Sequence, residues 1–200
     1  MSAIRLPSRQ EAGRALGGIF TTLEGDKRGL GEIDSSLEGA LRSFLAYLWC
    51  WPAQTFLWMD VLRDMPDTRP DGAWGMVSFI LTGSLFDFLS WVLPALLLYP
   101  VSGPFGFRKQ YLPVVAATNW FGLIAAYIGF LPATVVYFAP VPEGIAALLS
   151  LAAYGMTIWF YFRLVRAILD DEATLAALVT LVTLMSSLLV SSLAFGALGI

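Results

Sequence analysis

The sequence predicts an all-α membrane protein, in which a short cytoplasmic segment precedes a bundle of five transmembrane helices. The first observation is composition: hydrophobic residues make up 58% of the 200-residue chain and charged residues only 14%, whereas soluble domains contain roughly 25% charged residues. Such a chain has too few polar side chains to cover its surface in water. The second observation is that five apolar stretches are long enough to cross a hydrocarbon core of about 30 Å as helices.

The polar segment 1–40 comes first and contains a candidate helix of its own. Ser8 and Glu11 fit a capping box. Apolar side chains then recur at helical spacing at Ala12, Leu16, Ile19, Phe20 and Leu23. Two interpretations stay open, because periodicity does not separate them. The helix either lies on the membrane surface as an amphipathic helix, or packs against the cytoplasmic loops of the protein itself.

The membrane domain, residues 41–200, follows this segment. Its predicted spans cover residues 41–61, 74–99, 114–138, 144–162 and 175–200. Ser35 and Glu38 form a second capping box ahead of the first span, so its helix should begin near Ser36, outside the lipid. Only the proline-rich stretch "APVPE" separates the third and fourth spans, which predicts antiparallel neighbours.

Three of the predicted spans contain an interior proline, at Pro52, Pro94 and Pro132. Proline breaks helices in water because it lacks an N–H and clashes with the preceding turn. Within a membrane bundle, neighbouring helices can satisfy the freed backbone groups. We therefore expect kinks at these positions and not helix ends.

The distribution of basic residues predicts the orientation of the five spans. Of the twelve Lys and Arg residues, Arg63 and Arg69 fall on one side of the membrane, and the other ten fall on the side of the N-terminus. Basic residues concentrate in cytoplasmic loops. We expect a cytoplasmic N-terminus and a C-terminus on the outside.

Three stretches of sequence carry a family resemblance. "IDSSLEGALRSF" (33–44) resembles the "FD-x-S-x-x-G-x-x-RSF" lead-in of a family of uncharacterised bacterial inner-membrane proteins. "SWVLPALLLY" (90–99) and "AATNWFGL" (116–123) resemble the family's "SWVxFP" and "AYNW" stretches. The sequence departs from the pattern at Ala40 and Thr118, where aromatic residues would be expected. The resemblance implies a five-helix protein of the bacterial inner membrane and implies no reaction.

The layout is also similar to that of the Yip family of five-helix membrane proteins. Those proteins have a cytoplasmic N-terminus and act in membrane trafficking. This second likeness concerns the order of the segments alone, and a shared layout does not imply a shared function.

The stretch "GSLFDFLSWVLPALLLY" places Asp87 in the middle of the second span. An ionised aspartate at the bilayer centre costs roughly 2.5–3.5 kcal/mol on insertion scales. Ser84 and other small residues share its helix face, so Asp87 should point into the bundle. No Lys or Arg lies at the middle of a span, so we expect Asp87 to be neutral. The candidate intramembrane polar site comprises Asp87, Ser84, Gln54, Tyr154 and Ser187.

Two interpretations of Asp87 remain. It is either a proton or cation relay, as intramembrane acids often are, or a structural carboxylic acid that forms a hydrogen bond between helices. Polar faces on the fourth and fifth spans, which include Tyr161 and Thr183, are expected to form hydrogen-bonding seams. The tryptophans Trp58, Trp74 and Trp159 are expected at the membrane interfaces.

The remaining acids and the missing residue types limit the chemistry. Asp170, Asp171 and Glu172 precede the last span and either cap its free N–H groups or form a metal site. The chain has no histidine, which removes the usual general base, and its one cysteine, Cys50, leaves no pair for a disulfide within the chain. We expect no enzymatic activity, no cofactor and, without a basic stripe, no nucleic-acid partner.

These observations favour a non-catalytic integral membrane protein. Its expected role is to scaffold or bind other membrane components, and its expected partners are the lipid bilayer and another membrane protein or a second copy of itself. The alternative function is a small transporter or channel component that uses Asp87 for proton or cation coupling.

Overall fold

The computed structural model describes residues 5–64 and 70–199, and these residues form helices with no β-strand among them. The predicted all-α class is confirmed. The helices are α1 (Arg9–Leu23), α2 (Leu37–Ser43), α3 (Tyr47–Asp64), α4 (Gly72–Ser102), α5 (Tyr111–Phe138), α6 (Glu143–Ile168) and α7 (Ala173–Leu198). Two short 3-10 helices, Lys27–Glu32 and Phe44–Ala46, lie between the first three.

Four of these helices, α4 to α7, are long and apolar enough to cross a membrane. They correspond to the predicted spans two to five, and the fold is that of a helical membrane protein. The predicted first span, 41–61, is not one continuous helix, because a 3-10 turn separates α2 from α3. The last turns of α3 contain Asp60, Arg63 and Asp64. These charges explain why α3 is not among the four membrane-length helices.

The helix starts follow from side-chain capping. Ser8 is the N-cap of α1, and its Oγ accepts a hydrogen bond from the backbone N–H of Glu11 at 3.1 Å, as predicted. The second predicted capping box was wrong by one residue. Ser36, and not Ser35, caps α2 by accepting from the N–H of Gly39 at 3.0 Å.

The interior prolines and the tight turn confirm two expectations about helix limits. Pro52, Pro94 and Pro132 lie inside α3, α4 and α5, and none of them ends its helix. The residues 139–142 connect α5 to α6, and these two helices pack against each other. They are the antiparallel neighbours that the proline-rich stretch predicted.

The five longest helices form a ring. In that ring α3 contacts α4 and α5, α4 contacts α7, and α6 contacts both α7 and α5. Helices α4 and α5 also touch directly across the ring. The connection 103–110 and the turn 169–172 lie at one end of the ring, which we call the docked end. The turn 139–142 lies at the other, which we call the free end. This closed arrangement leaves a central space to which all five helices have access.

The N-terminal segment covers the docked end. Ala12, Ala15 and Ile19 of α1 are buried in one apolar cluster with Phe107 and Leu164 of the bundle. The buried face of α1 is therefore directed at the protein itself. Phe20, the apolar residue next to that face, is 53% exposed. Contact between α1 and a membrane surface remains a prediction.

An ion pair fastens the same segment to the α6–α7 turn. Lys27 Nζ lies 2.8 Å from Asp171 Oδ2. The hydrogen bond from Lys27 lowers the pKa of Asp171, because it stabilises the ionised carboxylate. The N-terminal segment and the turn that precedes α7 are thereby linked at one end of the ring.

Candidate functional site

A cavity of about 510 Å³ lies inside the ring. All five ring helices contribute to its wall: Gln54 and Leu57 from α3; Asp87, Ser90, Trp91, Pro94, Ala95 and Leu98 from α4; Val115, Thr118, Asn119, Phe121, Gly122, Ala125, Ala126 and Gly129 from α5; Tyr154, Thr157, Ile158 and Tyr161 from α6; and Thr180, Thr183, Leu184 and Ser187 from α7. Along α5 the lining runs from Val115 to Gly129, roughly 21 Å at 1.5 Å per residue.

Apolar layers lie toward the two ends of the cavity. At the docked end, Leu98, Val115 and Phe121 belong to the main apolar cluster that α1 completes. At the free end, Trp58 and Phe79 form a smaller cluster with Leu62 and Ala194. The cavity therefore occupies the middle section of the bundle, between these two layers.

Asp87 is held in place by a tryptophan of the neighbouring helix. The indole Nε1 of Trp58 donates a hydrogen bond to Asp87 Oδ2 at 2.7 Å. Among the described residues, no other group hydrogen-bonds to this carboxyl. An indole nitrogen is only a donor, so Asp87 Oδ2 is the acceptor of this bond. The other oxygen, Oδ1, stays available for a further partner.

A glycine makes this contact possible. Gly83 lies one turn before Asp87, where the ring of Trp58 packs directly on the backbone of α4. A Cβ atom at Gly83 would stand 2.8 Å from Trp58 Nε1 and still closer to the fused-ring carbons. Small residues allow helices in membranes to approach this closely. Gly83 therefore sets the position from which Trp58 reaches Asp87.

A second tryptophan packs on a second glycine in the cavity wall. A Cβ atom at Gly122 of α5 would stand 2.7 Å from the Cη2 atom of Trp91. The Nε1 atom of Trp91 is buried and, among the described residues, has no hydrogen-bond partner. Trp91 thus fills the α4–α5 interface with its ring alone.

The structure brings four of the five candidate site residues together. Asp87, Gln54, Tyr154 and Ser187 all line the cavity. Ser84 lies outside it, on the side of α4 that faces α3. There its Oγ accepts from Trp51 Nε1 at 3.2 Å, and its backbone oxygen accepts from the Tyr47 hydroxyl at 2.6 Å.

Sequence reasoning missed Trp58 as the partner of Asp87. The prediction gave Trp58 only a position at a membrane interface, whereas its side chain is 8% exposed and packs inside the bundle. A signal for the partner was present in the sequence: an apolar ring with one N–H donor can pack in the bundle interior and still bond to a lone acid. Periodicity alone did not reveal which tryptophan would do so.

Most hydroxyl groups of the cavity wall already have partners. The threonines Thr118, Thr157 and Thr180 donate to carbonyl oxygens one turn earlier in their own helices. The Tyr161 hydroxyl and Thr183 Oγ1 lie 2.8 Å apart and join α6 to α7, as the predicted seams require. Within the described part of the chain, Gln54, Tyr154 and Ser187 have no side-chain hydrogen bond.

The acids before α7 do not cap it with their side chains. Glu172 is the N-cap residue and makes no side-chain capping bond, so that prediction was wrong. Asp171 instead pairs with Lys27, and Asp170 Oδ2 accepts from Gln110 Nε2 at 3.4 Å. Both aspartates have left-handed backbone angles, with φ of 54° and 68°, so the tight turn directs their side chains to these partners. The described residues contain no group of three His, Cys, Asp or Glu side chains that could hold a metal ion.

Comparison of the chain with protein-family models, with curated proteins and with solved structures found no match in any of the three. The class of protein follows from the fold itself. Four membrane-length helices and an internal cavity with polar groups define a helical membrane protein with a candidate binding site in its interior.

Proposed function

We propose that this protein is a non-catalytic, five-span protein of the bacterial inner membrane that binds another membrane component in its central cavity. The observation that carries the proposal is the cavity of about 510 Å³, whose wall is mostly apolar and includes a few unpaired polar groups. Pockets for small molecules have this composition and volume. The resemblance of three sequence stretches to a family of five-helix bacterial inner-membrane proteins supports the proposed inner-membrane location and the five spans.

The size of the cavity favours a small molecule as the bound component. A helix with its side chains is about 10 Å wide, and a transmembrane segment of another protein would need a much larger space. Binding of a further membrane protein or a second copy of this chain at another surface remains a prediction from composition.

The course of α2 and α3 supports a fifth span. Ser43 accepts a hydrogen bond from Asn119 of α5 at 2.9 Å. The guanidinium of Arg63, at the other end of α3, lies 4.7 Å from the ring centre of Tyr137 of α5. The chain thus follows α5 from Asn119 to Tyr137, roughly 27 Å at 1.5 Å per residue. That length is close to the hydrocarbon thickness of about 30 Å.

The proposed orientation places the docked end in the cytoplasm, because basic residues concentrate on that side. A reporter that is active only outside the cytoplasm should work when fused after Ile200 and fail when inserted within residues 100–112. The reverse pattern would overturn the orientation. Activity at both sites would remove the five-span arrangement.

Binding in the cavity is tested by a variant that fills it. Ser187→Trp places a large ring in the cavity, whereas Leu188→Trp places the same ring on a side chain that is 53% exposed on the outer surface. A small molecule should co-purify in mild detergent with the wild type and with Leu188→Trp, and be lost from Ser187→Trp. Absence of any such molecule from the wild type, or its retention by Ser187→Trp, would contradict the proposal.

A second candidate function is transport coupled to a proton or cation at Asp87. One observation favours it: the Asp87 carboxyl lies in the wall of a cavity at mid-bundle, with one oxygen available. In proteoliposomes, Asp87→Asn should then abolish uptake of protons or cations while leaving the thermal stability unchanged. Equal uptake by wild type and variant would remove this candidate.

A further inference from the structure

We infer that the cavity takes an apolar amine, a molecule with a hydrophobic body and one basic nitrogen that pairs with Asp87. This inference rests on the proposed binding function and names its ligand class. The juxtaposition that carries it is a single carboxyl group, fixed by Trp58, in a cavity wall that otherwise consists of apolar, aromatic and neutral polar groups.

The charge balance of the cavity is the first step. Among the described residues that line it, Asp87 has the only carboxyl group, and none is a Lys or Arg. A carboxylate in an apolar interior is costly unless it is paired. Because the described wall supplies no cation, a ligand with a positive charge is the complement that the wall lacks.

The geometry of the carboxyl is the second step. Trp58 Nε1 donates to Oδ2 at 2.7 Å, and Gly83 fixes the Trp58 ring against α4. One oxygen is therefore occupied by the protein, and the orientation of the group is set before a ligand arrives. Oδ1 accepts no hydrogen bond from any described residue, so an ammonium N–H can use it.

The aromatic residues of the wall are the third step. Trp91, Phe121, Tyr154 and Tyr161 all line the same cavity as Asp87. Aromatic faces attract cations, and the attraction strengthens where water is excluded. A ligand with a cationic head and an apolar body would satisfy the carboxylate, the aromatic faces and the aliphatic wall together.

The transfer of one proton from Asp87 to the ligand allows the amine to enter from the bilayer in its neutral form. An amine reaches the cavity through lipid as the neutral base. There the O–H bond of the Asp87 carboxylic acid breaks and an N–H bond forms on the ligand nitrogen. The products are an ammonium and a carboxylate in contact, and the total charge of the site stays the same. No net charge has to cross the hydrocarbon core.

The test compares two probes on the full chain in detergent: a tertiary amine that carries an anthracene group, and the alcohol of the same shape. Fluorescence titration should show that the wild type binds the amine about tenfold more tightly than the alcohol, which corresponds to about 1.4 kcal/mol. Asp87→Asn should lose this preference. Ser84→Ala, on the same helix but outside the cavity, should keep it.

Each other outcome overturns the inference. Equal affinity of the wild type for both probes would refute the amine as the ligand class. It would leave cavity binding intact, because the alcohol would still occupy the cavity. Binding of neither probe would refute the amine class, while the co-purification experiment judges cavity binding separately. If Asp87→Asn does not fold, Asp87→Glu retains a carboxyl group and should retain the preference, and its loss there would count against the pairing.

Discussion

Two tryptophans, one in α3 and one in α4, make similar contacts with glycines but differ in the partners of their indole nitrogens. Trp58 of α3 packs on Gly83 of α4, and its Nε1 donates to Asp87 at 2.7 Å. Trp91 of α4 packs on Gly122 of α5, and its Nε1 is buried without a partner among the described residues.

The difference separates two ways in which helices are joined in a membrane. Close packing of a ring on a glycine supplies dispersion contacts, which tolerate a small rotation of either helix. A hydrogen bond adds a direction, because the N–H must point at the acceptor oxygen. The contact at Trp58 should therefore fix both the distance between α3 and α4 and their rotation about their axes. The contact at Trp91 should fix only the distance between α4 and α5.

The largest expected effect comes from adding one methyl group at each glycine. Gly83→Ala forces the Cβ into the fused-ring carbons of Trp58, so the whole ring must move and its bond to Asp87 is lost. Gly122→Ala meets only the outer atoms of the Trp91 ring, which can tilt away. Overpacking costs about 1–3 kcal/mol, and we expect Gly83→Ala near the upper value and Gly122→Ala near the lower.

Apparent melting temperatures of the two variants in detergent measure this difference. For a chain of this length, 1 kcal/mol corresponds to about 2–4 °C. Equal melting temperatures would show that the hydrogen bond adds nothing to the packing at Gly83.

The next largest effect on stability comes from replacing each tryptophan by the smaller phenylalanine. Trp58→Phe removes the donor to Asp87 and part of the packed ring, whereas Trp91→Phe removes the same ring volume and an N–H that has no partner. The difference between the two variants isolates the hydrogen bond. Such bonds in membrane bundles are worth about 0.6 kcal/mol on average and up to about 1.7. Denaturation in mixed micelles gives both free energies of unfolding, and a larger loss for Trp91→Phe would contradict the assignment.

The smallest effect on stability comes from substitutions of Asp87, which change the hydrogen-bond acceptor and leave the Trp58 ring intact. Asp87→Asn keeps an oxygen for the Trp58 N–H, so its stability should match that of the wild type. Asp87→Leu leaves that N–H unpaired and makes Trp58 resemble Trp91, at a cost of about 0.6 kcal/mol. The indole N–H signals in an NMR spectrum report this directly. In Asp87→Leu the Trp58 signal should move toward that of Trp91, and an unmoved signal would mean that the bond does not form in solution.

The four long helices could be predicted from the sequence because their signal is local. An uninterrupted apolar stretch of sufficient length marks α4 to α7, and the predicted limits differ from the observed ones by a few residues at most ends. The first predicted span has a weaker local signal, because three tryptophans, Pro52 and Gln54 dilute its apolar character. The charged residues in the last turns of α3 then make its uncharged apolar part too short to cross a membrane on its own.

The candidate site was only partly predictable, because it depends on how helices are rotated against each other. Depth along the helices brought Gln54, Tyr154 and Ser187 to the level of Asp87, and all four line the cavity. Ser84 is buried and faces α3 as Asp87 does, but its partners are Trp51 and Tyr47 and it does not reach the cavity. The pairing of Trp58 with Asp87 joins two helices and depends on Gly83, which no pattern within one helix reveals.

The N-cap of α2 also could not be predicted from residue type alone. Ser35 and Ser36 are equally good capping residues by type. Asp34 Oδ1 accepts from the backbone N–H of Ser36, and this local contact orients Ser36 to accept from Gly39. Competition between neighbouring hydrogen bonds, and not residue type, decides which serine begins the helix.

The ion pair between Lys27 and Asp171 has a consequence for biosynthesis. The two residues are separated by about 140 positions in the chain, so at about 5–20 residues per second the ribosome needs roughly 7–30 s to make the second after the first. During that interval the N-terminal segment has been translated, but its docking site at the ends of α5 and α6 is incomplete. A nascent chain arrested before α6 should therefore leave Ala12 and Ile19 accessible to chaperones and proteases, and their protection would mark the moment at which α6 joins the bundle.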